Sequence, residues 1–93
     1  MVEEVAPDLS VAEDVFQAMR GFSLATSWAD TFEQDRPHLK PEAVWNIEVG
    51  MRQSGVEVGK ALVGLAGVYD TMRAFMESYE YVLCAVHQVP PFP

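Results

Sequence analysis

Few side chains in this sequence are able to do chemistry, and they are scattered. There are two histidines, His38 and His87. They lie far apart, and neither has cysteine or acidic neighbours at metal-ligand spacing, so they form no metal site. The single cysteine, Cys84, sits in an apolar run with no adjacent cation. That is the setting of an inert buried thiol and not of a nucleophile. Glu13 with Asp14, and Glu77 with Glu80, could be paired carboxylates, but such acids are common on helix surfaces and nothing in the sequence places them in a cleft. His38, beside Pro37, reads as a surface turn residue. What remains is His87-Gln88, a polar pair directly after the apolar run Tyr81–Val86. Binding residues often lie at the C-terminal end of a strand, so the pair is a candidate substrate contact. The plainer reading is a solvated loop pair.

The elements that would position this pair are mostly helical. Residues 1–9 read as a loose lead-in. Ser10-Val-Ala-Glu13 has the pattern of a capping box. Val11, Val15, Met19 and Phe22 then share one helical face, which predicts a helix from about Val11 to Ala25. Trp28, Ala29 and Phe32 extend the spacing into a short second helix over Trp28 to Glu33. Pro37 breaks it, because proline disfavours helix in the residue before it. Lys40-Pro41-Glu42 starts another helix, with proline at the first helical position and an acid in the first turn. The segment that follows reads two ways. Val44, Ile47 and Met51 make a helical face, whereas Trp45, Ile47 and Val49 alternate with Asn46 and Glu48 as a strand would. The proline start and the length favour helix over about Pro41 to Gln53.

Ser54-Gly-Val-Glu57 is a second capping box, and it opens the longest helix. Val58, Ala61, Leu62, Leu65, Val68, Tyr69, Met72, Phe75, Met76 and Tyr79 keep the three-and-four spacing. Lys60, Asp70, Arg73 and Glu77 take the other side, with Arg73 and Glu77 placed to pair. Gly59, Gly64 and Gly67 each weaken an exposed helix by roughly 1 kcal/mol relative to alanine, so they imply close packing on a neighbour. Met51, Met72 and Met76 read as core filling, and Trp28 and Trp45 as core or interface anchors. Tyr81–Val86 is apolar in succession, the composition of a strand covered on both faces. A lone strand leaves its amides and carbonyls unpaired. Either Val44–Val49 pairs with it, or a sheet comes from another chain or from a further part of this one. The latter is the favoured expectation.

Composition narrows the classes. The chain has 93 residues, 49% of them apolar, enough for one small domain with a core. A net charge of −8 and a pI near 4.4 argue against nucleic acid or an anionic membrane as partner, since both need clustered Lys and Arg. One cysteine allows no internal disulfide and no cysteine-based metal cluster, and fits a reducing, cytoplasmic setting. The longest charge-free stretch inside a helix candidate, Ala61–Tyr69, falls far short of the ~20 apolar residues of a membrane span. The acidic start is unlike a signal peptide. No cofactor motif is present.

The order of these features is similar to a known family. An amphipathic helix leads to Lys40-Pro-Glu-Ala-Val-Trp-Asn-Ile-Glu48 and a glycine. A capped long helix follows, then Phe75-Met-Glu-Ser-Tyr-Glu-Tyr-Val-Leu-Cys84, and then Gln88-Val-Pro-Pro-Phe-Pro93. This resembles the C-terminal part of amidase-signature enzymes over roughly Ala6 to Pro93, most specifically from Phe75 onward. The resemblance implies a long helix ending in an aromatic turn, a buried strand, and a proline-rich loop near a substrate cleft. It also implies amide hydrolysis through an acyl-enzyme, with a serine activated by a second serine and a neutral lysine, and with backbone amides holding the oxyanion.

None of that catalytic core can be assigned here. Ser10, Ser23, Ser27, Ser54 and Ser78 lie outside any Gly-Ser-Ser-Gly setting, and the lysines are only Lys40 and Lys60. Glu80 stands where the family usually has Asp. Ala85 stands where it commonly has proline, and His87 where a small or hydroxylic residue is frequent. The expectation is therefore a mainly α chain of three to four helices with one C-terminal β-strand, a fragment of an α/β amidase-signature fold. It would be inactive alone and completed by the remainder of an amidase chain or a partner subunit. The rival expectation is a small helical interaction module or self-associating subunit.

Overall fold

The computed structural model describes residues 1–87, 89 and 90. Helix α1 spans Ala12–Trp28, α2 Phe32–Asp35, α3 Pro41–Arg52 and α4 Gly55–Met76, with one 3-10 turn at Arg36–His38 between α2 and α3. The mainly helical expectation holds. Residues 1–9 carry no regular structure.

Helix α1 begins without the capping box read at Ser10. Its N-cap is Val11, which makes no side-chain cap bond. The Ser10 amide instead donates to Asp8 Oδ1 at 3.0 Å, and the Glu13 carboxylate accepts from Gln17 Nε2 at 2.9 Å. The Ser10 amide and the Glu13 carboxylate are each taken by another partner, so the box does not close. Glu13 and Asp14 in its first turn oppose the positive end of the helix dipole. The short second helix falls later than expected, around Phe32, which is buried. Arg36 lies over the Phe32 ring, 5.3 Å from its centroid, and its guanidinium pairs with Glu48 of α3. These contacts fasten the α1–α3 connection.

Helix α3 resolves the ambiguity at Val44–Val49 in favour of helix. Pro41 sits at its start after an extended Lys40, where a missing N–H costs nothing. Asn46 Nδ2 turns back to the Glu42 carbonyl at 2.8 Å. Ile47 and Gly50, three apart, are both buried, while Trp45 is 56% exposed. The partner is α1, reached through two glycines. A Cβ placed on Gly21 would lie 3.2 Å from Gly50 N, and one on Gly50 would run into the Gly21 carbonyl. The two backbones therefore touch, as only glycine permits.

Helix α4 is opened by the predicted capping box. Glu57 N donates to Ser54 Oγ at 3.1 Å, and Ser54 N donates to Glu57 Oε2 at 2.9 Å. The Arg73–Glu77 pair is present at 2.7 Å, on the exposed side. Ala61 is buried against α1, and a Cβ on Gly64 would sit 2.7 Å from Val15 Cγ2. Close packing thus accounts for Gly64. It does not account for Gly59 or Gly67, where an added Cβ meets nothing within 4 Å.

Helix α1 lies in the middle, with α3 and α4 both packed on it and hardly touching each other. The molecule is a slab, 55 × 41 × 17 Å, little thicker than one layer of helices with their side chains. A single layer encloses little. The buried apolar residues are Val15, Phe32, Ile47 and Ala61. The radius of gyration is 17.3 Å, against roughly 12 Å for a compact domain of this length.

The C-terminal strand is not formed. No strand occurs among the described residues, and Tyr81–Val86 runs as exposed non-helical chain. The physical reason is the one that made a lone strand improbable: no neighbouring strand offers amides and carbonyls to pair with. The other candidate, Val44–Val49, has become helix. Cys84, expected to be buried in that strand, is exposed and free. Met51 and Met76, expected in the core, are also exposed.

Candidate functional site

Of the expected site pair, only His87 falls among the described residues. His87 is exposed, and Gln88 lies outside the described residues. His38 is exposed in the 3-10 turn, remote in sequence from His87. Among the described residues no group of His, Cys, Asp and Glu is placed to hold a metal ion. The five serines and two lysines make no hydrogen bond to one another among the described residues.

Two surfaces stand out instead. The first is the C-terminal apolar run. Tyr81, Leu83 and Val86 are 84–89% exposed, the reverse of what their composition suits. The run is anchored at its start. Tyr79 stacks on Phe75 at 4.7 Å between ring centroids and donates its hydroxyl to Glu3 Oε2 at 2.8 Å. That hydrogen bond holds the proton on the phenol and raises its pKa above the ordinary value. The anchor joins the lead-in to the end of α4, and the run leaves from it with its backbone unpaired.

The second surface is on α4. Val58, Leu62, Leu65, Tyr69, Met72 and Met76 follow one another at alternating steps of four and three, the seam of a helix that packs lengthwise on another helix. Leu62, Leu65, Tyr69 and Met76 on this seam are 51%, 46%, 71% and 38% exposed. The face turned to α1 is a different one, carrying Ala61 and Gly64. At its N-terminal end the seam runs into an open groove lined by Phe22 and Ala25 of α1, Ala29 just after it, Met51 of α3, and Val58 and Leu62 of α4. No charged side chain lines this groove. Gln53 also lines it. Its Nε2 donates to the Ala18 carbonyl at 3.0 Å, while its Oε1 is buried without a partner.

The α4 seam was legible in the sequence as three-and-four spacing. The spacing alone did not say which of its residues face α1, because the helix is apolar around more than one face.

These features define a class: a thin helical layer that leaves large apolar surfaces uncovered. No helix among the described residues is long and apolar enough to cross a membrane. No family model, no curated protein and no solved structure matches the sequence.

Proposed function

We propose that this chain is the C-terminal helical part of a serine-dependent amidase, inactive by itself and completed by a sheet-bearing remainder supplied by another chain or by a further part of this one. The observation that carries the reading is the uncovered run Tyr81–Val86. It has the composition of a strand buried on both faces, yet it is exposed and unpaired directly after the long helix and its aromatic turn. A parallel sheet covered by helices is where such a run belongs. The order of elements from α3 to the proline-rich end resembles the amidase-signature C-terminus, and this names the sheet. On this reading His87 and Gln88 leave the sheet edge toward the substrate, and the nucleophile, its serine–lysine relay and the oxyanion hole come from the remainder. The chain contributes a wall of the cleft.

The test is complementation. The chain alone should hydrolyse no small amide. Mixed or co-produced with a serine-dependent amidase core truncated before its last strand, it should restore turnover, and a Leu83→Asp chain should not. Robust turnover by the chain alone, abolished by a single serine substitution, would sink the proposal. So would failure of the wild-type chain to complement a core that folds.

A second reading is the helical interaction module, favoured by the excess surface. The accessible surface is 7824 Å², whereas a compact monomer of this mass exposes roughly 5,400 Å². Part of the difference belongs to residues 1–9 and to Tyr81–Val86. The rest lies on the helices, Trp45, Leu62 and Tyr69 among them. On this reading a protein partner covers the helical layer without any enzyme being rebuilt.

A further inference from the structure

We infer that the α4 seam is a self-association surface, on which a second copy of this chain packs its own α4 lengthwise. The inference rests on α4 and its groove and not on the C-terminal run, so it stands apart from the amidase reading.

The first argument is charge. The chain carries −8 overall, from 14 acids and 6 bases. Two such bodies repel over most of their surfaces. Helix α4 is the exception. Between Gly55 and Met76 it holds two acids, Glu57 and Asp70, and two bases, Lys60 and Arg73, and so is neutral. None of these four lies on the seam. Arg73, the charge nearest to it, is already engaged with Glu77 at 2.7 Å and Asp70 at 3.6 Å. The adjoining groove is uncharged as well. A second acidic copy can therefore meet this face without bringing like charges together.

The second argument is shape. A seam with steps of four and three fits another of the same kind, because side chains spaced this way interlock between two helices. From Leu62 to Met76 the uncovered part is about 21 Å long at 1.5 Å per residue. Beside it stand Gly59 and Ala66. Gly59 has open space where its Cβ would be, which lets a second backbone come near. The chain already uses this device at Gly21–Gly50, where α1 and α3 touch through glycines.

The third argument is area. The surface in excess of a compact monomer is about 2,400 Å². A standard interface removes about 800 Å² from each partner, less than this excess, and Leu62, Leu65 and Tyr69 of the seam are among the exposed apolar side chains.

Sedimentation equilibrium on the full chain tests this, with Tyr69→Glu, Leu65→Glu and Leu83→Glu variants alongside. Tyr69 is the most exposed residue of the seam, so its substitution leaves the monomer fold intact, and an unchanged far-ultraviolet circular dichroism spectrum verifies that. The wild type should sediment at twice the mass of the 10.3 kDa chain and hold that mass as salt is raised, since no ion pair bridges the seam. Tyr69→Glu and Leu65→Glu should each weaken the dimer at least tenfold, and Leu83→Glu should leave it unchanged. A monomeric wild type overturns the inference. So does a dimer indifferent to Tyr69→Glu, or one dissociated by Leu83→Glu and not by the seam variants. Complementation of an amidase core by a monomeric chain would leave the amidase reading in place while removing this one.

Discussion

The glycines offer the sharpest test of the packing, because one substitution is expected to change sign with position. Gly→Ala inside a helix gains roughly 1 kcal/mol of propensity wherever the methyl has room. At Gly67 an added Cβ meets nothing within 4 Å, so Gly67→Ala should stabilise by about that amount. At Gly64 the methyl would lie 2.7 Å from Val15 Cγ2, the end of a side chain that can shift. The gain and the crowding should nearly offset there. At Gly50 the methyl meets the Gly21 carbonyl and, at 2.7 Å, Ala25 Cβ. These are backbone and a side chain with no freedom, so α1 and α3 must separate. Overpacking of this kind costs about 1–3 kcal/mol. Against ~1 kcal/mol of propensity, the net loss at Gly50→Ala should be up to about 2 kcal/mol. Urea unfolding followed by circular dichroism measures all three, and at constant slope the midpoints report stability. The protein should be held well below its association range so that dimerisation does not enter. The expected order of midpoints is Gly67→Ala highest, Gly64→Ala near wild type and Gly50→Ala lowest. A Gly50→Ala protein as stable as Gly67→Ala would mean that α1 and α3 do not meet at their glycines, and the layered arrangement would fail with it.

Ile47, 1% exposed, is the one large side chain fully enclosed among the described residues. Ile47→Ala should cost about 2–5 kcal/mol, enough in so small a core to abolish cooperative thermal unfolding. Ser54→Ala removes the hydroxyl that caps α4, and should cost about 1 kcal/mol by the same urea measurement; Ser10→Ala, with no cap to lose, should be close to neutral. The Tyr79–Glu3 contact should respond to alkali. A phenol whose pKa is raised on folding keeps its contribution below the unfolded value near 10 and loses it as pH rises through the higher folded value. Phenolate absorbance should then show one late-titrating tyrosine that Tyr79→Phe or Glu3→Gln abolishes, and an unchanged titration in both variants would remove the anchor.

Local chemistry was legible in the sequence; the outcome of competition between local options was not. Pro41 and the Ser54–Glu57 box announced the starts of α3 and α4, because each signal acts within its own first turn. The Ser10 box had the same letters and failed, since Asp8 and Gln17 stood within reach of its two groups. Trp45, Ile47 and Val49 alternated like a strand, but only burial of Ile47 and Gly50 against α1 decides that the segment is helical. That decision depends on Gly21, remote in the sequence. The run Tyr81–Val86 shows the opposite limit. Its composition describes the environment it suits, a covered sheet, and the described residues of this chain form none. The His87-Gln88 candidate rested on that strand; His87 is exposed, and Gln88 lies outside the described residues.

The shape of α4 bears on both proposals at once. A helix apolar on nearly every side belongs inside a larger body. One face of α4 is covered by α1, and the seam is a second. Val56 and Val63, both exposed, lie on neither. A second copy on the seam would therefore still leave part of the helix open, and the sheet of an amidase remainder could approach there. Whether one partner excludes the other is then a matter of which face it takes. Tyr69→Glu should block the copy, and Val63→Glu should spare it. If Val63→Glu prevents complementation of a truncated amidase core while Tyr69→Glu does not, the remainder packs on the far side of α4 and the two associations are compatible. If Tyr69→Glu prevents both, they compete for the seam, and the self-paired form is what the chain adopts in the absence of its remainder.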